Sequence, residues 1–180
     1  QYLKNPKTLE AYYYFSSAIN LATKAKEKRL IQLSLIGVLN LIREEVFIGS
    51  KQYVPYLNYL RELREDVIDD FTIALFETVF LSKANVDLKV DVNYYEKVHK
   101  MDSIIRLLPL DHPFYVHFYI EKAVHHKILK EYELAESFFL KVDSATVNKT
   151  YWKDFYYTNL WQLANLKLDQ KKYDEAKKKG

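Results

Sequence analysis

An all-α fold is predicted, on three observations. The 180 residues hold only three glycines and four prolines, too few chain breakers for the many turns of an all-β protein. Ala135, Phe139 and Val142 fall four and then three residues apart, which places them on one helical face behind Tyr132, and Ala11, Phe15 and Ala18 repeat the spacing. Finally, the amphipathic runs 113–129 and 132–142 are separated by Lys130 and Glu131 alone. Such a short link allows only a tight antiparallel helical hairpin.

Taken in order, the first helix is predicted to open at Asn5-Pro6, with Asn5 as cap and Pro6 in the first turn, where a missing N–H costs nothing. It runs to about Lys28, and Tyr12, Ile19 and Ala22 widen its apolar face. Residues 30–47 read as a helix apolar on two flanks: Leu30, Leu33, Ile36 and Leu39 on one, Ile31, Leu35, Val38 and Ile42 on the other. A helix of that kind is expected between neighbours. Gly49 and Ser50 stop it, and a pairing helix follows over 53–65, with Pro55 in its opening turn and Tyr56, Leu60 and Leu63 inward.

Asp69 and Asp70 are expected to cap a helix over 71–83 whose apolar surface is Phe71, Ala74, Leu75, Thr78, Val79 and Leu81. A polar loop over 85–91 leads to a helix over 94–108 with Tyr95, Val98, Met101, Ile105 and Leu108 inward, stopped by Pro109. Pro113 then opens the hairpin already described. Beyond it, 151–168 form a helix dense in aromatics, with Leu160, Leu163, Ala164 and Lys167 at helix-facing spacing. Residues 169–172 read as a turn, and Tyr173 and Ala176 begin a further helix.

Composition excludes several functional classes. Scarce glycine argues against phosphate loops and dinucleotide fingerprints. With 27 basic and 24 acidic residues the net charge is only +3, too balanced for a general polyanion binder, so direct nucleic-acid binding is not expected. The absence of cysteine removes disulfides, thiolate zinc sites and a cysteine nucleophile. No apolar run approaches the ~20 residues of a membrane span, and a cytoplasmic location is favoured. Sixteen tyrosines and ten phenylalanines suit helix surfaces half buried against a neighbour and half facing a groove.

The Tyr-x2-Ala-x3-Phe-x2-aliphatic pattern of Tyr132, Ala135, Phe139 and Val142, with Tyr173 and Ala176 and the Ala11–Phe15–Ala18 run, resembles a tetratricopeptide-like helical repeat. Equivalent positions Ala11, Tyr56, Val98, Ala135 and Ala176 recur at intervals longer than the roughly 34 residues of a regular unit, as in the divergent repeats of bacterial regulators and sensor kinases. The resemblance implies a right-handed α-α superhelix of antiparallel hairpins. It further implies one repeat domain over 1–180, as a fragment of a longer chain, with the first helix completing a hairpin begun upstream. The implied function is non-catalytic: a protein- or peptide-binding module, the sensing or interaction part of a regulatory protein, needing no cofactor and self-associating, if at all, through its repeat ends.

In such solenoids the first helix of each hairpin lines the concave wall. The resemblance therefore places His117, Ile120, Glu121 and Val124 from one helix, and Thr158, Trp161, Gln162 and Asn165 from the next, along a ligand groove. Trp161 beside amides is suited to anchor an apolar side chain while the amides bind peptide backbone. Asn165 lacks the matching lysines of the subclass that clamps a C-terminal carboxylate.

The rival reading is a metal-dependent helical enzyme. His117, Glu121 and His125 are spaced four and four, and neutral imidazoles suit zinc or copper. At 3.6 residues per turn, however, each four-residue step drifts by ~40° around the helix, and a second ligand set is not evident. Adjacent acids such as Glu44-Glu45 point about 100° apart and cannot converge on a substrate. Lys171, Lys172, Lys177, Lys178 and Lys179 are diluted by Asp174 and Glu175 and read as a charged helix face. Asn148-Lys149-Thr150 fits a glycosylation sequon, a pattern too common to identify a compartment.

Overall fold

The computed structural model describes residues 6–45, 52–84, 92–146 and 153–177. These form eight helices: α1 (Pro6–Ala25), α2 (Lys28–Glu45), α3 (Val54–Glu62), α4 (Val67–Ala84), α5 (Val92–Ile105), α6 (Phe114–Ile128), α7 (Tyr132–Thr146) and α8 (Lys153–Lys177). The all-α expectation holds. Asn5, Gly49, Ser50, the 85–91 loop and Asn148-Lys149-Thr150 lie outside the described residues. Among those described, no helix is long and apolar enough to cross a membrane.

The chain divides into two compact units, Gln1–Lys89 and Val90–Gly180. In the first, α1 and α2 form a close hairpin. The turn between them is a Schellman motif: Lys26 takes a left-handed φ of 59°, the Glu27 N–H donates to Ala22 O at 2.9 Å and the Lys26 N–H to Thr23 O at 3.2 Å. Within the described residues α1 packs along α2. Gly37 allows this approach, because a Cβ there would overlap the ring of Phe15.

The core of this unit collects Ala22 from α1, Ile31, Leu35, Val38, Leu39 and Ile42 from α2, Leu57 and Leu60 from α3, and Ile73, Phe76 and Phe80 from α4. Tyr53 stacks on Phe80 with centroids 4.1 Å apart, and the hydroxyls of Tyr12 and Tyr56 hydrogen-bond across α1 and α3. Burial, and then that bond, push the Tyr56 phenol up to about 12. The two-sided expectation for α2 is corrected: Leu30 and Leu33 are exposed, and the helix enclosed on all sides is α4, where 71–80 are all buried. Its polar members bond to the helix itself or to α3. Thr72 and Thr78 donate to the carbonyls of Ile68 and Ala74, each at 2.8 Å, and Glu77 accepts from Arg61 Nη2 at 2.6 Å.

The cap of α4 is Asp66 rather than Asp69 and Asp70. Asp66 Oδ1 accepts from the N–H groups of Ile68 and Asp69, both at 2.9 Å, which places the two later aspartates in the first turn. Asp69 is buried and accepts from the Glu65 N–H and from Gln32 Nε2, both at 2.9 Å. Gln32 Nε2 also donates to Leu63 O at 2.9 Å. One buried amide thus fastens α2 to the α3–α4 corner.

In the second unit, α5 turns into α6 through 106–113, where the Tyr115 hydroxyl donates to Ile105 O at 3.2 Å. The α6–α7 turn reproduces the α1–α2 motif: Lys130 has φ 62°, the Glu131 N–H donates to His126 O at 2.9 Å and the Lys130 N–H to Lys127 O at 3.0 Å. Ala135, Phe139 and Val142 are each fully buried, as their spacing predicts. With Ala123 of α6 and Leu166 of α8 the first two form one cluster, so three helices meet around the Phe139 ring. On α5 the buried tyrosine is Tyr94 rather than Tyr95. Finally, α8 continues through 169–172, where a turn is predicted; Asp-Gln-Lys-Lys contains neither glycine nor proline, and glutamine and lysine are good helix formers.

Candidate functional site

The residues predicted to line a groove all belong to α6 and α8. Both helices pack on α7. Lys127 Nζ reaches Asp169 Oδ2 at 3.2 Å, joining α6 to α8 directly, and Lys167 Nζ pairs with Glu136 Oε2 of α7 at 2.5 Å. The α8 face turned to α7 consists of Asn159, Leu163 and Leu166. Leu160, Ala164 and Lys167, expected inward, are exposed. The helix is rotated because Asn159 is buried and its Nδ2 donates to the Phe139 carbonyl at 2.9 Å.

That rotation sets the positions of the four α8 residues. Thr158 is exposed, Trp161 is 63% exposed, and Gln162 and Asn165 are half-buried. Trp161 lies on the flank of α8 away from Phe139, and Gln162 borders the packed face beside Leu166. On α6, His117 is half-buried with its ring edge-on to Phe114 at 6.3 Å, Ile120 packs on Val116 and Val142, and Val124 packs on the three-helix cluster. Glu121 is buried.

Glu121 and His125 turn toward α5. The His125 ring stands edge-on to Tyr95 with centroids 4.8 Å apart, and Tyr94 lies at 5.8 Å. Burial pushes the His125 imidazole down to about 4, helped by the charges of His126, Lys122 and His99 and opposed by Glu131, so it is neutral near pH 7. The Tyr94 phenol is held well above its ordinary range by burial first, then by the charge of Glu121 and by Tyr95. Among the described residues the Tyr94 hydroxyl and His125 Nδ1 are buried without a hydrogen-bond partner.

For the metal alternative, His117 sits by Phe114 while His125 sits by Tyr94 and Tyr95. The drift around the helix separates them. Among the described residues no group of three His, Cys, Asp or Glu side chains is placed to hold a metal ion. Two features escaped sequence reading: the Asn159 bond, whose only trace is an amide within an apolar helical face, and the buried pair Tyr94 and His125, whose trace is aromatic residues at adjoining helical positions. No known family model matches the chain, no curated protein is detectably similar to it, and no solved structure matches it.

Proposed function

We propose that the chain is a tetratricopeptide-like helical-repeat module that binds a protein or peptide segment without catalysis, as the sensing or interaction part of a bacterial regulatory protein. In this reading its hairpins continue into a right-handed solenoid, and the ligand lies along the outward flanks of α6 and α8. The observation that carries the reading is the three-helix seam around Phe139: α6, α7 and α8 share one core, as successive repeat helices do, while Trp161 is left largely in solvent. A large exposed aromatic beside Thr158, Gln162 and Asn165 combines an apolar anchor with backbone-binding amides.

Tryptophan fluorescence during titration with a peptide library tests this. Binding should change the emission, and Trp161→Ala should abolish that change while leaving the circular dichroism spectrum intact. Saturable binding that persists unchanged in Trp161→Ala would move the site elsewhere, and no binding by any peptide would end the reading.

A further inference from the structure

A second face of α6 lies opposite His117 and Val124, and the trough does not use it. Tyr119, Lys122 and His126 follow one another at three and four residues along it, with Phe138 and Lys141 facing them from α7. Phe138 forms the floor. The His126 ring stacks on it with centroids 5.4 Å apart and planes within 4°, and Tyr119 meets it at 6.2 Å. Lys141 Nζ lies 4.7 Å from the Phe138 centroid and 5.5 Å from that of Tyr119, and Lys122 Nζ lies 5.8 Å from Phe138.

Two ammonium groups from different helices thus converge on one ring, and among the described residues neither forms an ion pair with a carboxylate. A ring face attracts each cation by about 0.5–1 kcal/mol at an exposed site, but the cations also repel one another. An anion set between them would accept hydrogen bonds from both and relieve that repulsion. Two cations are too few to follow a nucleic-acid strand, whose affinity comes from neutralising many phosphates in a row.

We infer that this face binds an acidic peptide segment, with one carboxylate seated between Lys122 and Lys141 and an adjoining aliphatic or aromatic side chain against Tyr119 and Phe138. It is a surface separate from the α6–α8 trough and stands without it.

Fluorescence anisotropy of the full chain with a labelled peptide of alternating glutamate and leucine tests the inference. The glutamine version of that peptide should bind about tenfold more weakly or worse, as expected when charge complementarity is removed. The double variant Lys122→Met, Lys141→Met, which keeps the aliphatic stems over the rings, should lose a similar factor. The double arginine variant should retain binding, and Trp161→Ala should leave it unchanged. If the double methionine variant does not fold, Lys141→Met alone, at an exposed position, carries the test through a several-fold loss. Equal binding of the glutamine peptide, no binding of the acidic one, unaltered affinity in the methionine variants, or tighter binding of a single-stranded oligonucleotide would each overturn it.

Discussion

The hairpins α1–α2 and α6–α7 close with the same turn and fill their seams in opposite senses. In both, a lysine in the left-handed region is followed by a glutamate whose N–H reaches back to close a Schellman motif. In α1–α2 the first helix supplies the aromatic, Phe15, and the second supplies the notch at Gly37. In α6–α7 the second helix supplies Phe139, and the small residue opposite is Ala123 of the first. The turn is therefore a local backbone device, indifferent to which helix carries the large side chain. What distinguishes the seams is depth: Phe139 is fully buried within three helices, while Phe15 is half-buried.

The sharpest way to break the comparison is to remove each ring. Phe139→Ala should destabilise the chain by about 3–5 kcal/mol, the range for an aromatic deleted from a packed core. Phe15→Ala should cost roughly half as much, because less surface leaves the core and solvent can fill the space. Urea denaturation of both variants measures this. A loss below about 1 kcal/mol for Phe139→Ala would mean that α8 collapses onto the gap and that the three-helix seam is not rigid.

Acid should separate the two hairpins next. The chain has five histidines, all in the second unit, and burial pushes the His125 imidazole down to about 4. An unfolded chain binds that proton near pH 6.5. Between those values the unfolded state holds a proton the folded state does not, so stability falls as pH drops through the window and levels off below it. The loss should be on the order of 2 kcal/mol, discounted because His125 is not wholly cut off from water. Hydrogen exchange should place the change on α5 and α6 while α1 and α2 hold. His125→Leu should remove the step, and an identical acid response in that variant would assign it to other groups.

How much of this was legible in the sequence depends on whether a residue type reveals its own burial. Ala135, Phe139 and Val142 were readable because apolar residues at helical spacing have one reason to align. Asn159 was not, since an amide in an apolar stripe gives no sign that it will bond the Phe139 carbonyl, and that bond turns α8 away from the face its leucines suggest. Asp66 cannot be told from Asp69 and Asp70 by type, because three aspartates in five residues all satisfy cap preference, and only the Gln32 bond shows why Asp69 lies inside. The continuous helix through 169–172 is not legible because a polar run without glycine or proline reads equally as turn or as solvated helix. Of the residues expected to line a groove, nothing in their spacing shows that Glu121 is buried while Trp161 is left in solvent.

Gly37 offers a smaller and more specific test of the first seam. A mid-helix glycine replaced by alanine gains about 1 kcal/mol of helix propensity, while forcing a methyl against Phe15 costs about 1–3 kcal/mol. Gly37→Ala should therefore lower stability by about 1 kcal/mol, the difference between the two terms. With Phe15→Ala in the background, the same substitution should instead stabilise by about 1 kcal/mol. A double-mutant cycle without that reversal would show that the Phe15 ring can swing aside, and that glycine is not what brings α1 close to α2.

The smallest effect concerns the shared turn itself. Lys26 and Lys130 are exposed and hold positive φ, a conformation that costs a side chain with a Cβ about 1 kcal/mol or more relative to glycine. Glycine also frees the unfolded chain, which takes back part of the gain. Lys26→Gly and Lys130→Gly should each raise stability by about 0.5 kcal/mol, read as a small upward shift in melting temperature. Because the seams differ and the turns do not, the two increments should match. If Lys130→Gly instead destabilises while Lys26→Gly does not, the Lys130 side chain supports the α6–α7 hairpin through contacts beyond the backbone, and the two turns are alike in geometry only.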